Sequence, residues 1–332
     1  MTRVETSSDV HRRAVGDLFS LVRGNLEGVE SRLQSELSSR YENVGRVVRH
    51  GYRLGGKRLR PALLLLSAKA AGEVADAHET LAVVVEMIHT ATLVHDDVLD
   101  EAELRRHEDT VNARWGNETS VLLGDFLFSH AFYLAATIGS ADACMLIGKS
   151  TNRVCEGEMR QTLSEGELDL SEEDYFDIID AKTAELCACC CELGARYAGA
   201  AAPAIDALAA YGRHLGMAFQ IADDLLDLAG CESSTGKSLG RDLAKRKMTL
   251  PLIHARDTLV DGARRNYLTL VETASDPGSL LNTLEEVGSL DYARGVAEQY
   301  ASRAAAELGV LADGPAKETL EALAAFVVSR RG

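Results

Sequence analysis

The chain has 332 residues, is 46% hydrophobic and carries a formal net charge of -16. That length supplies a sizeable core for one large domain or two ordinary ones. The acidity excludes a nucleic-acid binder, because affinity for a phosphate backbone needs a basic face.

Only 5 prolines and 5% aromatics, beside abundant Ala, Leu, Glu and Arg, favour helix over strand and predict an all-α protein. The N-terminus "MTRVETSSDVHRRAVGDLFS" is charged throughout and has no signal-peptide core. Residues 1–40 read as an N-terminal helical segment ahead of a motif-bearing core at about 45–260, all within one domain. A break follows at "GYRLGGKRLRP", where two glycines precede Lys57, Arg58 and Arg60 and let the backbone approach a ligand. Pro61 then suits the first turn of a helix, whose apolar run "PALLLLSAKAA" is broken by Lys69 and too short to span a bilayer.

The next helix, expected from about Thr80 to Glu103, is apolar nearly all round in "LAVVVEMIHTATLVHDDVLD" and ends in carboxylates. Asp96 and Asp100, four apart, lie one above the other, and His89 falls on nearly the same face two turns earlier. Arg105 and Arg106 follow within about a turn, and "RHEDTVNARWGN" reads as a loop. Further on, Ser171 with Asp174 forms a capping box before "YFDIIDAKTAEL", which contains Lys182 and Thr183. Cys187, Cys190 and Cys191 of "CACCCE" share a helical face, but no zinc-spaced partner set follows, so they read as small buried hydrophobes in a reducing cytoplasm.

"FQIADDLLDLAG" repeats the acidic spacing with Asp223, Asp224 and Asp227, and Gln220 lies on the same face three residues before Asp223. One such cluster suits a solvated helix end, but a duplicate on a second core-like helix does not. Stacked carboxylates repel, and oxygen donors from two helices select a hard divalent cation, Mg²⁺, sharing its remaining positions with phosphate oxygens. The expected ligand is a diphosphate bridged by more than one ion. Lys237 and Lys247, just beyond the second cluster, add to the basic loops, although each such residue alone also suits a solvated surface charge.

These motifs, "GGKRLRP", "EMIHTATLVHDDVLDEAELRR", "TVNARWGNETSVLLGDFLFSHAF", "AKTAEL", "FQIADDLLD" and "GKSLGRDLAKRKMTLP", resemble in order those of the trans-isoprenyl diphosphate synthases, the polyprenyl synthetase family. The resemblance runs from about residue 45 to the C-terminus. It implies a helical bundle around a deep central cavity, a homodimer, and condensation of isopentenyl diphosphate with an allylic diphosphate. It assigns isopentenyl diphosphate to Lys57, Arg60, His89 and Arg106, and the allylic diphosphate to Arg105, Lys182, Thr183, Gln220, Lys237 and Lys247. Metal falls to Asp96, Asp100 and Asp223, with Asp97, Asp224 and Asp227 in support. Asp96, Asp100, Arg105, Lys182, Asp223 and Lys247 are thereby the catalytic set. Two positions depart from the family pattern, which has glycine where this chain has His107 and Arg246.

Product length is expected to depend on Thr92, Ala91, Ile88 and Val85, which precede Asp96 along the cavity wall. The resemblance implies that aromatics at Ala91 and Thr92 would close it; their absence points to a long-chain product such as an octaprenyl diphosphate. Phe126, Phe128 and Phe132 are an alternative floor or ordinary core. Competing readings are a short-chain synthase, a class I terpene cyclase, which "GGKRLRP" and the second acidic motif oppose, and a regulatory subunit of a heteromeric synthase. No transmembrane segment is expected, only transient membrane contact for product release.

Overall fold

A computed structural model describes residues 18–229, 241–274 and 276–329. Sixteen α-helices are seen among these residues. The long ones are α1 (Arg23–Glu36), α2 (Glu42–Arg53), α3 (Leu59–Ala71), α4 (Asp76–Leu99), α6 (Asn117–Thr137), α7 (Ala141–Leu163), α9 (Glu185–Tyr197), α10 (Ala202–Ala229) and, towards the C-terminus, α13 (Asp261–Thr273), α15 (Ser289–Glu307) and α16 (Pro315–Ser329). Short helices fill the connections: α5 (Val111–Trp115), α8 (Glu172–Ile179), α11 (Arg241–Ala244), α12 (Leu250–Thr258) and α14 (Pro277–Glu286). Among the described residues the only strands are those of a two-residue-strand hairpin, Leu104–Arg105 and Glu108–Asp109.

Helix α4 is central because it has few polar positions to leave in water. Leu81 to Val85, Met87, Ile88 and Ala91 are all fully buried, in contact with α6 on one side and α3, α1 and α9 on others. The tetraleucine Leu63–Leu66 of α3 and Cys189 to Cys191 of α9 complete this main core. A second core under α12 to α15 gathers Ile221, Leu252, Tyr267 and Leu284. The cysteines are packing residues: burial pushes the thiols of Cys189 and Cys191 up to about 12 and that of Cys190 well above its ordinary range.

Close helix approach comes from glycine. A Cβ on Gly194 would lie 2.3 Å from the Leu64 carbonyl, and one on Gly212 would lie 2.5 Å from the Cys187 carbonyl, so α9 packs against α3 and α10 nearly backbone to backbone.

Expected boundaries shift in places. Helix α4 starts at Asp76, a turn before Thr80, because the His78 ring accepts from the Ala75 backbone N–H at 2.8 Å. It stops at Leu99, short of Glu103. The expected loop "RHEDTVNARWGN" instead holds the second hairpin strand and α5, which Thr110 caps by accepting from Ala113 N–H at 3.0 Å. The Ser171 cap forms as expected, accepting from Asp174 N–H at 3.0 Å. Helix α6 is long and apolar enough to cross a bilayer by length and composition, and it packs along one side against α4 and α7.

Candidate active site

The acidic clusters meet basic residues at one end of the bundle, and two helix caps of one type, after α4 and after α11, set the first of these contacts. After α4, Glu101 adopts φ 48°, its N–H bonds to the Val98 carbonyl at 3.1 Å, and Ala102 N–H reaches back to Asp97 O at 2.9 Å. This is a Schellman cap, and it leaves Asp96 and Asp97 in the last turn with Asp100 on the cap itself. After α11, Arg246 at φ 55° bonds to Leu243 O at 2.9 Å, and Lys247 N–H to Asp242 O at 2.9 Å, repeating the motif. The second cap aims its lysines at the first. Lys245 bonds to the Asp100 carboxylate, and Lys247 Nζ lies 4.0 Å from Asp100 and 3.6 Å from Asp242. The Asp242 N–H in turn bonds Asp227 Oδ2 at 3.1 Å, tying the second acidic cluster to the same end of the bundle.

The left-handed backbone at Arg246 shows why glycine would suit that position, and the same holds at His107: Arg106 (φ 53°) and His107 (φ 67°) are the central residues of a two-residue hairpin turn in the register Leu104↔Asp109. Positive φ at both positions marks a type I′ turn, which favours glycine and strains an L side chain. Both residues hold a left-handed backbone, and Lys247 reaches to 4.0 Å from Asp100.

The carboxylates divide by role. Asp97 is buried, and the Arg105 Nε reaches both its oxygens at 2.9 and 3.0 Å, so its part is to fix Arg105. Asp224 is buried too, accepting from Tyr175 Oη at 2.6 Å and Gln220 Nε2 at 2.8 Å. Burial and then Asp242 push its carboxyl up to about 7 despite those donors. The carboxylates of Asp97 and Asp224, expected as supports for metal, are engaged by Arg105 and by Tyr175 and Gln220 respectively. Asp96 faces Lys182. Burial and the neighbouring Asp100 raise its carboxyl above the ordinary range against the pull of Lys182, Arg105 and Lys247. At Asp100 burial is outweighed by Lys245 and Lys247, and the net shift is downward.

Lys182 and Thr183 lie in a π turn, Asp180–Ala184, between α8 and α9. Such single turns are frequent at functional sites. Lys182 Nζ bonds Glu158 Oε2 at 2.7 Å, and Thr183 Oγ1 donates to Gln220 Oε1 at 2.8 Å, so Thr183, Gln220, Asp224 and Tyr175 form one continuous chain.

A second, basic group surrounds His89, upstream on α4. Burial, and then Arg60, Arg105, Arg106 and Arg58, hold the His89 imidazole well below its ordinary range. The Nε of Arg60 is buried with no hydrogen-bond partner, which suits an anionic ligand. Arg58 is occupied structurally: its Nη1 lies 2.7 Å from Oε1 of fully buried Glu86, its Nε 3.0 Å from Glu30, and its guanidinium covers the Tyr52 ring. Arg106 bonds the Gly55 carbonyl, and a Cβ on Gly56 would lie 2.8 Å from its guanidinium while one on Gly55 would lie 2.4 Å from that of Arg58, so each glycine makes room for one arginine. Lys57 is exposed on the same loop, and Lys237 lies outside the described residues.

Sequence reading missed Glu86, Glu158, Tyr175, Asp242 and Lys245. Glu86 and Tyr175 open quoted segments but carry no spacing to a second charged group, and Glu158 stands outside every motif. Asp242 and Lys245 were visible in "RDLAKRK" but are drawn in by the α11 cap. Of the positions expected to line a cavity, Val85, Ile88 and Ala91 are fully buried, and Thr92 turns its hydroxyl to the His89 carbonyl at 2.8 Å. Phe126, Phe128 and Phe132 pack, partly buried, against the main core.

The donors fit a hard divalent cation. They are all carboxylate oxygens, and burial leaves Asp96 and Glu158 short of positive charge, with Lys182 only partly offsetting it. Among the described residues no three carboxylate, imidazole or thiol groups converge on one ion-sized point.

Comparison with known proteins bears on the family and the fold. The polyprenyl synthetase family model matches residues 42–284. The chain is 37% identical over 317 residues to the octaprenyl diphosphate synthase of Escherichia coli (strain K12), covering 93% of this chain and 97% of that one. It is 34% identical over 321 residues to a short chain isoprenyl diphosphate synthase of Methanothermobacter thermautotrophicus, covering 95% and 99%. The crystal structure of a polyprenyl synthase from Caulobacter crescentus CB15, complexed with calcium and isoprenyl diphosphate, superposes with a TM-score of 0.89 at 36% identity, covering 99% of this chain and 100% of that one.

Proposed function

The chain belongs to the polyprenyl synthetase family, and from that premise we propose that it condenses isopentenyl diphosphate with an allylic diphosphate to build a long-chain all-trans polyprenyl diphosphate. The observation that carries this is the meeting of acidic and basic groups at one end of the bundle: Lys245 and Lys247 on Asp100, Arg105 on Asp97, Lys182 facing Asp96.

Asp96, Asp100 and Asp223 would hold Mg²⁺ ions that neutralise charge on the departing diphosphate. Arg105, Lys182 and Lys247 add fixed positive charge around the same leaving group, so the allylic C–O bond breaks to a carbocation. Arg60, His89, Arg106 and Lys57 orient isopentenyl diphosphate for attack through its double bond. His89, neutral in the free protein, serves as an N–H donor. The released diphosphate, left beside the newly formed bond, takes the proton that the product loses, as the family resemblance implies.

Small side chains at Ala91 and Thr92 support a long product, as does the octaprenyl relative; the short chain relative is the reason to test it. Farnesyl diphosphate, excess isopentenyl diphosphate and Mg²⁺ should give products beyond geranylgeranyl diphosphate. Arrest there establishes the short-chain reading, and failure to consume isopentenyl diphosphate defeats the proposal as a whole. Chelation followed by addition of Mg²⁺, Mn²⁺ or Ca²⁺ identifies the working ion.

The protein is read as a homodimer. Leu122 and Tyr133 on α6, 66% and 63% exposed, and Met145 and Met159 on α7, 63% and 58% exposed, form an apolar side that a second copy would cover. Light scattering on a Leu122→Asp, Tyr133→Asp variant tests it, with a monomer expected.

A further inference from the structure

The π turn bearing Lys182 and Thr183 is gripped from outside by ion pairs that span it. Its first residue, Asp180, accepts at its carbonyl from the N–H of Glu185, the residue just after the turn, in an i→i+5 bond. The same two residues are joined again through their side chains. Arg213 on α10 places Nη1 2.6 and 2.7 Å from the two Asp180 oxygens and Nη2 2.7 Å from Glu185 Oε2. Arg153 on α7 adds Nη2 at 2.9 Å from Asp180 and Nε at 3.7 Å from Glu185, and Ser150 donates to Glu185 Oε1 at 2.9 Å.

In an uninterrupted α-helix, residues five apart point about 140° away from each other. One guanidinium could not grip both from a single side. A turn closed by an i→i+5 bond places the later residue above the earlier one, so the double grip is compatible with the π register and incompatible with the α register. Glycines on the neighbouring helices leave room for the wider turn: a Cβ on Gly157 would lie 2.7 Å from Lys182 N, and one on Gly216 2.5 Å from Ala184 Cα. The extra residue sets which way Lys182 and Thr183 face, and they reach Glu158 and Gln220 on the site side.

We propose that Arg213, seconded by Arg153, is a positioning residue that fixes the π register through Asp180 and Glu185 and so presents Lys182 and Thr183 to the allylic diphosphate. This deepens the functional reading above and rests on it.

The test uses the full chain with Arg213→Met and, should that variant fold poorly, Asp180→Asn, which keeps side-chain shape. Separate KM values are measured for farnesyl diphosphate and isopentenyl diphosphate, together with amide hydrogen exchange of the segment holding Glu185. The farnesyl diphosphate KM should rise roughly tenfold or more while the other stays within about twofold. Exchange should accelerate at 180–186 and stay unchanged in α4. Unchanged KM values, or both rising together with exchange faster throughout, would overturn the proposal by reducing the clamp to general stability. If the parent protein consumes no isopentenyl diphosphate, the functional reading fails separately, and the exchange arm still decides whether Arg213 holds the register.

Discussion

The ion pair between Arg58 and Glu86 offers the sharpest energetic test, because the two partners differ so much in solvent access. The Glu86 side chain is 1% exposed and that of Arg58 15%, with 2.7 Å between Nη1 and Oε1. Burial raises the Glu86 carboxyl above its ordinary range even with Arg58 beside it. Removing one partner of such a pair costs about 3–5 kcal/mol, whereas replacing both with apolar groups of similar volume is close to neutral. Arg58→Met should therefore destabilise by that amount, and Glu86→Met by somewhat less, because Arg58 keeps Glu30. The double variant should return to within about 2 kcal/mol of the parent. With unfolding entropy scaling by length, a 4 kcal/mol loss lowers Tm by about 6 °C.

The Arg58→Met penalty should also grow with pH. A carboxyl whose folded pKa is raised costs nothing below its unfolded pKa, and stability is lost as pH climbs towards the folded value, at no more than about 1.4 kcal/mol per unit. Denaturant titrations of the two single variants and the double variant, repeated across pH, measure all of this. Single variants costing under about 1 kcal/mol, or effects that simply add, would refute the account. The double variant should still show a raised KM for isopentenyl diphosphate, because "GGKRLR" has lost the anchor that places Arg60.

Other outcomes follow from the same geometry. His107→Gly and Arg246→Gly should each stabilise by about 0.5–1 kcal/mol in urea titrations, since each residue now holds a left-handed backbone; a loss would mean the side chains make contacts that outweigh the strain. His89→Gln should flatten the fall in stability on acidification below pH 6.5, because the unfolded chain binds a proton that folded His89 refuses. An unchanged slope would place the titration elsewhere. Asp96→Ala and Asp223→Ala should lower kcat by roughly a thousandfold or more with unchanged circular dichroism, and near-normal turnover in either would remove it from the metal site.

The sequence made the acidic helix ends legible because a spacing of four is a property of the helix itself. The same holds for the Ser171 cap and for "GGKRLRP", whose two glycines and basic residues form one contiguous motif. Division of labour among the carboxylates was not legible. Asp96 and Asp97 are neighbours of identical chemistry, and only the hairpin that returns Arg105 to Asp97 tells them apart. Glu86 and Glu158 are ordinary glutamates until α3 and the π turn bring Arg58 and Lys182 to them. The π turn itself leaves no local signature, since its register depends on Arg213, 28 residues beyond Glu185.

Composition and periodicity alone determined an all-helical chain with two carboxylate clusters and basic loops, because helix propensity and the 3.6-residue repeat act within a few residues of each position. The tertiary structure alone decided which charges face one another: two left-handed caps turn Lys245 and Lys247 towards Asp100, and a strained hairpin carries Arg105 back to Asp97. Ion pairing depends on distance and burial in space, and neither is written in the order of residues along the chain.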